Sequence, residues 1–254
     1  MDTIIIGQFK PETLGDSKEE LEMLKEREML IEAVASSGFP YQIVSAKWPR
    51  DTFTIYKDNI YERKRFGNYA DGGYVLTRPN FTLTCSELSV NDKGERESEE
   101  YRYKILKKLY KSHFHILPPL NLELNQFLRH HIDMVLLPIP QKNLCFIDEI
   151  YYQTNKEPIH AFSERTNLNI KPIYNDYTNP SWPCNTLIIE DDKKQLHAFV
   201  NTSKNSDFIK TLRSYDINIA GIPFEANCAN GGSIHCATNT IPKELSSSID
   251  FLFE

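Results

Sequence analysis

Apolar positions along the chain follow two alternating patterns. Short β-type runs at Thr3–Ile6, Tyr41–Ala46 and Phe53–Tyr56 flank or follow a stretch from Ser17 to Ser36 in which Leu, Met and Ile recur at helical spacing among Glu and Lys. That stretch predicts an amphipathic helix. The alternation then recurs, with strands expected at Gly73–Thr77 and Phe81–Cys85, a helix at Glu99–Lys111 and a strand at Phe114–Leu117. Met134–Ile139 and Leu144–Ile147 predict a hairpin that turns near Pro140–Asn143. A further helix is expected at Ser206–Tyr215, between strands Leu196–Val200 and Ile217–Pro223. No repeat shows as sequence identity, yet strand and helix units return about every 40 to 50 residues. The pattern predicts an α/β architecture with a repeated supersecondary unit.

At 254 residues, with 14 prolines and 10 glycines scattered along its length, the chain is expected to form a single domain over 1–254. A net charge of −6 argues against general nucleic-acid binding, which needs a basic face, and favours a cationic partner. The five cysteines at 85, 145, 184, 228 and 236 are odd in number and contain no CxxC pair, which fits a reducing compartment better than a disulfide framework or a zinc site. The apolar run in MDTIIIGQFK is too short for a signal-peptide core, and no segment approaches membrane-spanning length. A cytoplasmic protein with no membrane partner is therefore expected.

Four short stretches set charged or nucleophilic groups at the edges of apolar runs: WPRD at 48–51, ADGG at 70–73, HHID at 130–133 and GGSIHCAT at 231–238. Each has a plain structural explanation when taken alone. Cys236 is of a type most often buried and inert, Asp51 could pair with Arg50 or cap a turn, and Asp71 before Gly72-Gly73 is ordinary turn chemistry. His131 and Asp133, two apart at the expected start of a strand, would point to one face and could form a simple surface pair. The run Arg63-Lys64-Arg65 could meet an anionic group near the site, but reads more simply as a solvated face. His113, His115, His130 and His131 match no zinc-site spacing, so no metal is expected.

Taken in order, these stretches resemble the guanidine-modifying, or pentein, superfamily of deiminases and amidinotransferases. Trp48-Pro49-Arg50-Asp51-Thr52 is similar to the Trp-x-Arg-Asp-Thr of agmatine deiminases, and Gly231 to Thr238 to their Gly-Gly-x-x-His-Cys-x-Thr. His131-Ile132-Asp133 matches the superfamily His-x-Asp, while Asp71-Gly72-Gly73 stands where many members have Glu-Gly-Gly. The chain departs from agmatine deiminases in having Phe53-Thr54 after the Arg-Asp-Thr, where they have Gly-Pro, and in being shorter.

The resemblance implies a five-bladed α/β propeller with pseudo-fivefold symmetry. It also implies that Cys236 is the nucleophile and His131 the general acid and base, that Asp51 and Asp133 grip a guanidinium, and that Trp48 and Asp71 complete the substrate site. No cofactor is implied. The expected partner is a small cationic guanidino substrate such as agmatine, arginine or an arginine derivative, hydrolysed through a Cys-bound thiouronium with release of ammonia. A homodimer is compatible with this reading. An amidinotransferase using the same groups, or a non-catalytic pentein serving as a binding module, are the alternatives.

Overall fold

A computed structural model describes residues 1–9, 17–85, 97–111, 113–118, 131–249 and 252–253; His130, weighed above as a metal ligand, lies outside them. The chain divides into two compact units, one made of Met1–Arg50 with Asn175–Glu254 and the other of Asp51–Tyr174. The first unit opens with β1 (Thr3–Gly7), α1 (Lys18–Ser36) and β2 (Tyr41–Val44). The second unit begins with β3 (Phe53–Tyr56), β4 (Asn59–Glu62), α2 (Arg63–Phe66), β5 (Val75–Thr77) and β6 (Thr82–Cys85). It continues through α3 (Glu99–Tyr110), β7 (Phe114–Leu117), β8 (Leu136–Ile139), β9 (Leu144–Asp148), α4 (Glu149–Thr154), α5 (Lys156–Thr166) and β10 (Asn169–Ile173). The chain then returns to the first unit with β11 (Leu187–Glu190), β12 (Leu196–Asn201), α6 (Ser206–Ser214), β13 (Asn218–Ile222), α7 (Glu225–Ala229) and β14 (Thr238–Ile241).

The repeated unit expected from the hydrophobic pattern is present as a hairpin followed by a helix and a parallel strand. In the second unit β6 pairs antiparallel with β5 and parallel with β7, which is reached through α3. The strands β8, β9 and β10 repeat that arrangement through α4 and α5, and β3 and β4 form a two-stranded hairpin. In the first unit β11, β12 and β13 repeat it again through α6. The remaining sheet has the same pattern with its chain cut open: β1 pairs antiparallel with β14 and parallel with β2, so that Ile4 lies opposite both Thr240 and Tyr41. As the central strand, β1 is buried along its whole length, which is why it reads as an unbroken apolar run instead of an alternation.

Local chemistry explains the helix ends. Ser17 caps α1 by accepting from the Glu20 amide at 3.2 Å, and its hydroxyl donates to the Glu20 carboxylate at 2.8 Å, at the Ser17 start expected from sequence. Ser98 caps α3 by accepting from Tyr101 N–H at 3.2 Å. One face of α1, through Leu30 and Val34, packs with Ile4, Ile6, Phe199, Phe224 and Ile234 to form the core of the first unit. In the second unit Leu106, Leu109 and Tyr110 of α3 pack with Tyr56, Tyr69 and Val75. None of the helices among the described residues is long and apolar enough to cross a membrane.

Two local expectations are corrected. Residues Ile132–Met134 form a single 3-10 turn, and β8 begins only at Leu136, so His131 and Asp133 are not aligned by strand alternation. Asp71 to Tyr74 form a turn and β5 begins at Val75, because Asp71 bonds back to the Gly73 amide and holds the backbone out of the ladder.

Candidate active site

Two sets of side chains carry the expected chemistry, one in each unit. In the second unit, Asp51 comes from a 3-10 turn at Pro49–Thr52, Asp71 from the turn after α2, and His131 and Asp133 from the turn before β8. Asp51, Asp71 and His131 each offer a ligand atom, and these atoms lie within 4.8 Å of one another. Asp71 is fully buried. Its Oδ1 accepts from the Gly73 amide at 2.8 Å, and its Oδ2 lies 3.2 Å from Nη1 of Arg63, which is half exposed. Asp133 is also buried, and its amide donates to the Gly73 carbonyl at 3.3 Å. Gly73 is thus hydrogen-bonded to both carboxylate residues through its backbone.

Why glycine stands at 73 follows from the imidazole. A Cβ there would lie 2.3 Å from His131 Nδ1 and 2.7 Å from Cε1, so the ring occupies the space of any larger side chain. Tyr74 covers the other aspect of the ring, with centroids 4.8 Å apart.

The electrostatics of this cluster are those of crowded carboxylates around one imidazole. Burial pushes Asp51 up to about 7, the charges of Asp71 and Asp133 push in the same direction, and His131 and Arg63 oppose them. Burial also raises Asp71, against the pull of His131, Arg63 and the Gly73 amide. For His131, burial acts to lower the pKa, but the fields of Asp51, Asp71 and Asp133 together outweigh it and leave the imidazole above its ordinary value. Asp51 Oδ1 is shielded from solvent and accepts no hydrogen bond from the described residues. Three carboxylates therefore face two cations, and Asp51 Oδ1 is placed to receive a donor.

In the first unit, the Gly231–Thr238 segment is arranged around Asn185. The Asn185 Oδ1 accepts from the amides of Ser233 at 3.0 Å and Cys236 at 3.1 Å, and its Nδ2 reaches the Cys236 sulfur at 3.1 Å. The Asn185 carbonyl also accepts from His235 N–H at 3.1 Å. Gly231 has φ +88°, a left-handed value that glycine adopts without strain, and a Cβ on Gly232 would meet the Trp48 ring at 2.8 Å and the Cys236 Cβ at 3.1 Å. The two glycines of the motif thus have different reasons, one a turn and one a close approach.

Behind the thiol lies Arg27 of α1, fully buried. Its guanidinium donates to the carbonyls of Gly7 and Ala237 at 3.2 Å, to Lys47 O at 3.0 Å and to Asn227 Oδ1 at 2.9 Å. It stacks 4.8 Å from the centroid of the Trp48 ring. Arg27 so joins the residues that follow Cys236 to those that precede Trp48. All five cysteines are buried and none forms a disulfide.

Asn185 and Arg27 are not marked in the sequence, and Arg63 is marked there only as one of a charge run. The run at 63–65 reads as solvated, whereas Arg63 turns toward Asp71. Asn185 sits in no motif, and a lone Arg on the charged surface pattern of α1 gives no sign of burial.

Comparison with solved structures places this arrangement in context. The fold is similar to that of the N-terminal domain of ArgZ, described as an arginine dihydrolase from the ornithine–ammonia cycle in cyanobacteria, with a TM-score of 0.65 at 12% identity over 95% of this chain and 97% of that one. It is similar to SxtG, an amidinotransferase from Microseira wollei in the saxitoxin biosynthetic pathway, with a TM-score of 0.66 at 15% identity over 94% and 93% of the two chains. It is similar to C. jejuni agmatine deiminase as well, with a TM-score of 0.67 at 13% identity over 94% and 92%. These structures all belong to the pentein superfamily, the one the sequence motifs resemble. No protein-family profile and no curated protein sequence matches the chain.

Proposed function

We propose that the chain is a deiminase that hydrolyses a guanidino compound, agmatine, arginine or an arginine derivative, and releases ammonia. The observation that carries this reading is the excess of buried carboxylate around His131, with Asp51 Oδ1 lacking a donor among the described residues. A guanidinium suits that demand because it is planar, cationic and made entirely of N–H donors on its rim. The fold supports the same reading, since the similar structures include an arginine dihydrolase, an agmatine deiminase and an amidinotransferase. The five small sheets are then the five blades of a single catalytic domain.

In this reaction Asp51 and Asp133 accept paired N–H donors and hold the substrate flat, with Trp48 and Asp71 bordering the same substrate. The Cys236 thiolate adds to the central carbon, forming a C–S bond and a tetrahedral adduct. His131, held protonated by its carboxylates, gives its proton to the departing nitrogen, which leaves as ammonia, and a thiouronium remains on sulfur. Water gives a proton to the now neutral His131 and adds to the same carbon. As the C–S bond then breaks, the added hydroxyl loses its proton, which ends on the released ammonia as ammonium, returning the thiolate and a neutral ureido product. Asn185, with its N–H toward the sulfur, favours the thiolate over the thiol.

A second reading, amidino transfer, follows from the likeness to SxtG. It shares every step up to the thiouronium and substitutes an acceptor amine for water. The deciding experiment offers arginine, agmatine, methylarginine and peptidyl-arginine to wild type and Cys236→Ala, with and without glycine as acceptor. Ammonia release without an acceptor, lost in the variant, supports the deiminase. Amine-dependent transfer without ammonia supports the second reading, and turnover of no guanidine by wild type rejects both.

A further inference from the structure

A pocket lies wholly in the Asp51–Tyr174 unit, among residues that the proposed reaction does not use. It has a volume of about 300 Å³, at the lower end of the range of small-molecule sites. Its polar lining includes His113, His115, Arg165 and Asn143, and its apolar lining includes Phe81 and Leu168; among the described residues no acidic side chain contributes. His113 stands immediately before β7 and His115 within it, and both line the pocket. Arg165 reaches the pocket from the last turn of α5 and makes no ion pair with a described residue.

The imidazole of His115 is held by aromatic edges, 6.0 Å from the Phe81 ring and 5.5 Å from Phe162, both near perpendicular. Neither its nitrogens nor those of His113 bond a described residue. The ring is thus fixed by packing while its polar atoms remain available. Burial lowers the His115 pKa, and the positive charges of Arg165 and His113 lower it further. In a chain of net charge −6, a concave site that gathers three cationic or protonatable groups and no carboxylate of a described residue is complementary to an anion.

We propose that this pocket binds a small organic anion, its carboxylate or phosphate held by Arg165 with His113 and His115 and its apolar part against Phe81 and Leu168. The site is independent of the guanidino reading, and its test involves no turnover. Benzoate and phenyl phosphate serve as the two anionic probes, benzylamine as the cationic control, and the histidine Cε1–H resonances as the reporter. Either anion is expected to shift His113 and His115 saturably and to raise the pKa of His115, leaving His197 in the other unit unmoved. The tighter of the two anions identifies the headgroup. Arg165→Gln should weaken binding about tenfold, and His115→Gln should weaken it less. The proposal fails if neither anion moves these resonances at about 10 mM, above the range of even weak millimolar sites. It also fails if benzylamine binds as well as the anions, or if both variants bind like wild type.

Discussion

Replacing Gly73 with alanine isolates the contact that fixes the imidazole. The φ of Gly73 lies outside the left-handed region, so a methyl group adds no backbone strain, and its whole effect comes from what it touches. The new carbon would sit 2.3 Å from His131 Nδ1, 2.7 Å from Cε1 and 2.9 Å from Cγ. Ordinary contact begins near ~3.5 Å, so the ring must retreat by about 1 Å or rotate away. A shift of about 1 Å in a reacting group costs on the order of 100-fold in rate, and overpacking of this kind costs about 1–3 kcal/mol of stability.

Gly73→Ala should therefore lower kcat/KM for ammonia release about 100-fold and reduce Tm by several degrees. The Asp71 bond to the residue 73 amide survives, since it involves only backbone at 73. An NMR titration of His131 provides a readout that does not depend on the substrate: the pKa should fall toward the ordinary histidine value as the ring leaves its carboxylates. Turnover within about threefold of wild type together with an unchanged His131 titration would refute this account of residue 73.

Asn185→Ala removes the acceptor of the Ser233 and Cys236 amides and the donor to the Cys236 sulfur; it should cost about 1–3 kcal/mol in chemical denaturation and slow alkylation of Cys236 by iodoacetamide at neutral pH. Asp51 is held near 7 when folded, so between about pH 4 and 7 the folded chain keeps a proton that the unfolded chain has lost, and stability falls as pH rises through that window. Asp51→Asn should abolish that contribution and raise Tm at pH 8 relative to wild type, with the gain shrinking toward pH 4 in calorimetry at both values. Arg63 opposes protonation of both His131 and Asp71, so Arg63→Ala should raise the His131 pKa measured by NMR; an unchanged value would remove Arg63 from the site's electrostatics.

Much of the fold was legible where local rules decide it. Ser17 followed by Glu20 marks the start of α1, and the apolar spacing in Glu99–Lys111 and Ser206–Tyr215 marks α3 and α6 because their buried faces recur at helical period. The closing pair β14–β1 was not legible, since it joins strands from opposite ends of the chain and no periodicity reports such a distance. The helices α4 and α5 were also unread: Pro158 falls in the first turn of α5, where a missing amide is harmless but the sequence looks interrupted.

Among the candidate residues, Cys236, His131, Asp51 and Asp133 stood out through motif context. The partners that orient them did not, because a hydrogen-bonding Asn such as Asn185 or a charge such as Arg63 carries no local mark of what it faces. The turn at Ile132–Met134 shows the same limit. Two-residue spacing places side chains on one face only if the backbone is extended, and here tertiary contacts with Gly73 set the geometry instead.

The central claim is that sulfur at position 236 bonds the substrate's guanidino carbon. Acid quenching of wild type during turnover of arginine or agmatine, followed by mass mapping of its peptides, tests this directly. The account predicts an adduct of substrate less ammonia on the peptide containing Cys236, and neither adduct nor ammonia from Cys236→Ala. Ammonia release by Cys236→Ala at the wild-type rate would contradict it.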